Sequence, residues 1–249
     1  MMSELRGKVC LVTAGSRTLG AEISRLMALN GANLVVNYHQ SKDAAVRLCD
    51  QIKGFGGRAI VVKADVTQSE QVIDLVKETL KEFGHIDILI NNYGPYVDTP
   101  FLDLAIQDFD HVLAGNLRST FLMTQIVGRQ MKDQGGGHII NIAATDFKNR
   151  SHSVYGLAKS GLIYLTEALA LELAPQVNIY AIAPDLIAEN EDMSETLVAQ
   201  VTAATPKDRL VTRNEIAKVA CALCSPSFEM ATGQTIVLDG GRSIPRIAI

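Results

Sequence analysis

Short apolar runs alternate with longer amphipathic stretches from one end of the chain to the other. Runs at 8–13, 33–37, 58–64, 86–90, 138–142, 178–183 and 234–238 are near-continuously hydrophobic and rich in β-branched residues. Each predicts a strand buried on both faces. Between them, apolar residues recur at helical spacing over 20–30, 41–55, 69–83 and 109–131. A further helix is predicted around Tyr155, running on from the flank S-H-S-V. Gly31 is a helix stop, and the glycines at 135–137 read as a stop and turn. Strand–helix alternation of this kind predicts an α/β fold: a Rossmann-type, doubly wound, parallel seven-stranded sheet flanked by helices. Such a sheet binds its ligand beyond the carboxyl ends of the strands, where strand order reverses.

The 249 residues contain no Pro/Gly/Ser-rich linker, so one domain spanning 1–249 is expected. Hydrophobic residues make up 47%, enough for a large core. The net charge of −4 with no basic cluster argues against nucleic acid or an anionic membrane as partner. No apolar run approaches a membrane span, and the start M-M-S-E-L-R-G-K lacks the apolar centre of a signal peptide. The expectation is a soluble cytoplasmic protein. Cys221 and Cys224 form a C-x-x-C inside an apolar helical pattern and read as small core residues. His85 and His111 read as surface or helix-end residues, and no metal site is expected.

Two segments carry candidate chemistry. The first strand-to-helix turn, T-A-G-S-R-T-L-G from Thr13 to Gly20, presents a helix N-terminus where a pyrophosphate is stabilised by free N–H groups. Gly15 and Gly20 allow close approach; Ala14 and Thr18 are less obvious choices. The generic G-x-G-x-x-G is absent. The second segment is Y-G-L-A-K. Tyr155 and Lys159 share a helix face one turn apart, where an ammonium would favour the phenolate and make Tyr155 a proton donor near neutral pH.

With these motifs in this order, the chain resembles the short-chain dehydrogenases/reductases nearly end to end. That family's opening turn is T-G-x-x-x-G-x-G, here with Ala14 and Thr18 in place of two glycines and with Gly15, Ser16, Arg17, Leu19 and Gly20 against the cofactor. The resemblance implies that Asp65, with Val66 beside it, meets the adenine, and that Asn92 and Gly94 belong to the N-N-x-G cofactor wall. It makes Asn116 the anchor of a proton-relay water, Tyr155 and Lys159 the catalytic pair, and the Ile187 backbone the contact of the nicotinamide amide. It also implies a mobile substrate lid over about 186–210 and a homotetramer, or a dimer.

Three departures shape the functional expectation. The family's catalytic Ser falls on Ala144, and the stretch from there to Tyr155 is about two residues short. Thr145 is the first candidate to supply the missing polar group, with Asp146 as the other; Ser151 and Ser153 read as helix caps. The turn and the segment N-Y-H-Q-S at 37–41 resemble pteridine reductases, which use an acidic residue where others have Ser, and the run L-A-P-Q-V-N-I-Y-A-I-A-P-D-L-I-A-E-N at 173–190 resembles dihydromonapterin reductases. The rest of the scaffold resembles 3-oxoacyl carrier-protein reductases. Third, 37–41 holds no acid to bind the ribose hydroxyls, whereas Arg17, with His39 or Ser41, is placed to meet a 2′-phosphate. NADPH is therefore expected over NADH, against the bland alternative of a surface Arg. The expected activity is hydride transfer to a C=O or C=N group of a small substrate. The alternative is a weak or inactive NADP(H)-binding relative, because position 144 is Ala.

Overall fold

The computed structural model describes residues 5–149, 152–190 and 193–245. Its strands are β1 (Val9–Val12), β2 (Asn33–Tyr38), β3 (Ala59–Lys63), β4 (Ile88–Asn91), β5 (Gly137–Ile142), β6 (Val177–Pro184) and β7 (Thr235–Leu238). They form one parallel seven-stranded sheet in the order β3-β2-β1-β4-β5-β6-β7. Helices cover both faces, which is why β1 is apolar throughout and why Leu34–Val36, Ile88–Ile90 and Ile179–Ala183 are unbroken apolar runs within β2, β4 and β6. Strand order reverses between β1 and β4, and the crevice at their carboxyl ends is the switch point.

The helices are α1 (Thr18–Leu29), α2 (Lys42–Gly54), α3 (Ser69–Phe83), α4 (Ile106–Leu113), α5 (Ser119–Gln134), α6 (Asp146–Asn149), α7 (Val154–Leu173), α8 (Glu195–Ala204) and α9 (Arg213–Leu223). One core packs α1, α2 and α9 on one face of the sheet, and a second packs α3, α5 and α7 on the other. A buried polar ladder fixes the second layer. Asn91 Nδ2 donates to Asn141 Oδ1 at 2.9 Å and to Thr124 Oγ1 at 3.1 Å, and Asn141 Nδ2 donates to Thr166 Oγ1 at 2.9 Å. Each amide is desolvated and needs those partners, so the ladder fixes α5 and α7 against β4 and β5.

Two helix expectations are corrected. The helix expected over 109–131 begins at Ile106 and is divided by a π-helical turn, Ala114–Arg118. The Tyr155 helix does not run through S-H-S-V. It starts at Val154, because the Ser153 hydroxyl accepts from Gly156 N–H at 3.0 Å and caps it. Ser151 lies outside the described residues. Gly135 ends α5 with φ 99, as a helix stop should. Cys221 and Cys224 are free, partly buried thiols at the end of α9. Among the described residues, no helix is long and apolar enough to cross a membrane.

Candidate active site

The Thr13–Gly20 turn is held by strained backbone and side-chain clamps. Ala14 and Thr18 both adopt left-handed backbone, φ 47 and φ 45, at the two positions where the family has glycine. Each such residue costs about 1–2 kcal/mol relative to glycine. Two asparagines offset this. Ala14 N–H donates to Asn37 Oδ1 at 3.2 Å, while Asn92 Nδ2 donates to Thr13 O at 3.1 Å and Ala14 O at 3.3 Å. Asn37 is thus a buried structural clamp at the end of β2, also donating to Ala64 O at 3.1 Å. Nothing at 37–41 carries a negative charge.

The cradle tolerates no added side chain. A Cβ on Gly15 would lie 2.9 Å from Val12 O, and one on Gly20 would lie 2.3 Å from Ala14 O. Ser16 is buried, and its hydroxyl meets that of Ser41 at 2.8 Å, joining the turn to the loop before α2. Leu19 is buried beneath the turn, and Arg17 is exposed at the entrance to α1. Asp65 sits at the end of β3 beside buried Val66. Burial alone would raise its pKa, but the Thr67 hydroxyl and N–H outweigh this and hold it below the usual range, with smaller help from His39 and His111. His39 itself is exposed at the rim.

Packed against α7, the π-helical turn places Asn116 fully buried. Its Nδ2 donates to Val112 O at 3.0 Å and to Pro95 O at 2.9 Å, leaving Oδ1 buried without a partner. A Cβ on Gly94 would lie 2.2 Å from that Oδ1 and 3.2 Å from Lys159 Nζ, so Gly94 is the gap between the two. Lys159 is buried and donates to Ile142 O at 2.6 Å; its Nζ lies 5.5 Å from the Tyr155 ring centroid. Burial lowers its pKa to about 8, partly opposed by Asp146.

The Tyr155 phenol does not follow the expectation of a lowered pKa. Burial raises it above the ordinary tyrosine range, and Asp146 and then Tyr96 add to the rise. The Lys159 ammonium, on which that expectation relied, donates instead to Ile142 O. The Tyr96 ring meets that of Tyr155 edge-on at 4.9 Å, and its hydroxyl donates to Asp98 at 3.0 Å.

The structure brings Asn116, Gly94, Tyr155 and Lys159 together, with Asp146 acting on both Tyr155 and Lys159. Ala144 is buried at the end of β5. The buried Thr145 hydroxyl donates to Asp185 Oδ1 at 3.0 Å, and Arg242 ion-pairs with the same carboxylate. Ile187 lies just beyond, bridged to Val211. Among the described residues, no group of three or more His, Cys, Asp or Glu side chains is placed to hold a metal ion. Asn37, Tyr96, Asp185 and Arg242 carry no recognisable spacing in the sequence.

Comparison with known proteins identifies the family. The family described as Enoyl-(Acyl carrier protein) reductase matches residues 13–243. A 3-oxoacyl-[acyl-carrier-protein] reductase of Synechocystis sp. is 38% identical over 245 residues, covering 96% of this chain and 98% of its own. A reductase of the same name from Staphylococcus epidermidis is 34% identical over 239 residues, covering 94% and 98%. Among solved structures, a short-chain dehydrogenase/reductase from Serratia marcescens superposes with a TM-score of 0.90 at 32% identity, covering 96% of this chain and 99% of its own. A 7α-hydroxysteroid dehydrogenase, solved with NADH and an oxo bile acid, superposes with a TM-score of 0.91 at 29% identity, covering 96% and 95%. From the strained phosphate turn to the Arg242 loop, the chain belongs to the short-chain dehydrogenase/reductase family of oxidoreductases.

Proposed function

We propose that this protein is an NADPH-dependent reductase of a small carbonyl substrate, of the 3-oxoacyl thioester or ketone type. The observation that carries the reading is the convergence of Asn116, Tyr155 and Lys159 around Gly94, with the buried Asn116 Oδ1 left open for a water or hydroxyl donor. A nicotinamide cofactor, when bound, supplies the hydride. The cradle at Gly15, Gly20 and Gly94 suits its close approach, and Ala14, Ser16, Leu19, Asp65, Val66, Asn92 and the Ile187 backbone would line it. Arg17, with His39 and Ser41, would meet a 2′-phosphate, and the acid-free end of β2 would not repel it.

The chain's own chemistry is proton delivery. Tyr155 keeps its proton at neutral pH and donates it to the oxygen that gains charge as the carbonyl is reduced. Lys159, protonated below about pH 8, holds the cofactor ribose and lowers the cost of phenolate once its amine turns from Ile142. Asn116 anchors the water that returns protons through Lys159. Thr145 is the candidate donor to the substrate oxygen in place of the absent Ser.

Asp146 supports a second reading, a C=N substrate of pterin type. Its charge reaches Tyr155 and Lys159, where a carboxylate would hold a protonated ring nitrogen. The acidic segment 186–210, including α8, is proposed as a substrate lid. An apolar groove lined by Leu113, Leu117, Phe121, Tyr164 and Leu165 supports assembly as a homotetramer or dimer, and the composition supports a cytoplasmic location. Single-turnover NADPH oxidation against 3-oxoacyl thioester, ketone and pterin panels tests the function. Oxidation with one class assigns it; no oxidation with any class leaves a nucleotide binder without turnover and overturns the proposal.

A further inference from the structure

The carboxyl ends of β5, β6 and β7 are joined twice. Thr145 N–H donates to Pro184 O, and Asp185 N–H donates to Leu238 O, both at 3.1 Å, so the ladder runs one step past the strands. A side-chain relay crosses in the same direction. The Thr145 hydroxyl donates to Asp185 Oδ1 at 3.0 Å. Arg242 holds that carboxylate at two points, Nε on Oδ2 and Nη2 on Oδ1, the latter at 2.5 Å.

The C-terminal turn that aims Arg242 is itself fixed. Gly240 and Gly241 have φ 61 and φ 90, and the Asp239 carboxylate accepts from Gly241 N–H and Ser243 N–H, both at 2.8 Å. A Cβ on Gly240 would lie 2.6 Å from Thr205 Cγ2, so the turn is seated against the end of α8. The Asp185 side chain is only 9% exposed. A carboxylate this buried is a strong acceptor unless a cation offsets its charge. The planar guanidinium offsets it with a fixed geometry that a lysine would not reproduce.

We propose that Arg242 is a positioning residue for the reduction. By neutralising Asp185 it weakens that carboxylate's hold on the Thr145 hydroxyl, and so leaves the proton of Thr145 able to turn to a substrate oxygen. This rests on the reading of the site as a reductase with Thr145 as donor. It assigns a role to two residues at positions that the nucleotide-binding and Tyr155–Lys159 motifs do not reach. It also separates Arg242 from a simple staple. If the ion pair only tied strand ends together, breaking it from either side would do the same harm. If Arg242 acts by muting Asp185, removing the Asp185 charge compensates for its loss.

The test compares wild type with Arg242→Gln, Arg242→Lys, Asp185→Asn, the Arg242→Gln/Asp185→Asn pair, and Arg242→Gln in a Thr145→Val background. Each is measured for kcat, KM, NADPH affinity and melting temperature. Arg242→Gln should lower kcat roughly tenfold, a fraction of a full oxyanion-donor loss, with NADPH affinity held and with Arg242→Lys less affected. Asp185→Asn should restore most of that loss, and with Val at 145 the Arg242→Gln change should alter kcat by less than about twofold. A double variant as slow as Arg242→Gln, or an equal loss with Val at 145, overturns the proposal. Threonine-methyl NMR of the ligand-free protein supplies a readout without turnover. Arg242→Gln should move the Thr145 methyl signal, and Asp185→Asn should move it again. An unmoved signal overturns the role of Arg242 even if no substrate reacts, whereas a moved signal with no turnover refutes only the reductase reading.

Discussion

Replacing Lys159 with Met should change how stability depends on pH. Among the described residues no carboxylate forms an ion pair with the buried ammonium, and burial takes its pKa from 10.5 to about 8 in the folded chain. Folded protein therefore releases this proton about 2.5 pH units before unfolded protein does. Between those values the unfolded state binds more protons, so stability must rise with pH through this window. The full shift corresponds to about 3 kcal/mol, and linkage places about 2 kcal/mol of it between pH 7 and 9.5. Lys159→Met removes the titration. Urea denaturation of ligand-free wild type and variant at the two pH values isolates it, because other groups cancel in the difference. Wild type should gain about 2 kcal/mol on the variant as pH rises, or about 4–8 °C in melting temperature for a chain this size. Staying at or below pH 9.5 keeps Tyr155, whose raised pKa acts in the opposite sense, out of the measurement. A wild-type-minus-variant difference that is flat with pH would refute the claim that burial depresses Lys159.

Asp146→Asn removes the charge that raises both Tyr155 and Lys159, so both should titrate lower and the alkaline limb of the pH–rate profile should move to lower pH. An unmoved limb would place Asp146 outside the catalytic field. Arg17→Ala should weaken NADPH by about 1.5–3 kcal/mol, the worth of a charge-assisted phosphate contact, and leave NADH unchanged. Equal affinity of wild type for both cofactors contradicts that assignment. Gly20→Ala would set a Cβ 2.3 Å from Ala14 O and 2.6 Å from Asn92 Nδ2, forcing the backbone apart. It should cost roughly 1–3 kcal/mol of stability and most cofactor affinity, read by melting and by cofactor titration.

The sheet and its order of elements were legible because parallel strands covered on both faces leave an unmistakable apolar signature. The helix 69–83 was legible to the residue, since its amphipathic period ends on Gly84 in left-handed backbone. The π-helical turn at Asn116 was not, because one added residue shifts the phase of the apolar pattern without interrupting the helix. Within the site, Tyr155, Lys159 and Asn116 were recognisable from spacing and family resemblance. The bond from Lys159 to Ile142 O was not, nor was the rise in the Tyr155 pKa, since both depend on burial and on where a flexible ammonium comes to rest. Asn37 showed only as a missing acid. Its work, clamping Ala14 in left-handed backbone, needs the turn's three-dimensional path. Likewise Asp185 and Arg242 lie 57 residues apart and meet only because β6 and β7 are neighbours.

In the proposed reduction, Tyr155 protonates a carbonyl oxygen while the carbon takes hydride from NADPH. The test uses NADPH carrying deuterium at both C4 positions of the nicotinamide, with whichever carbonyl substrate the panels identify, in wild type and Tyr155→Phe. Wild type should place one deuterium on the product carbinol carbon. Tyr155→Phe should slow that transfer at least about a hundredfold, with NADPH still bound. A product without deuterium at that carbon, or near wild-type transfer by Tyr155→Phe, would contradict the account.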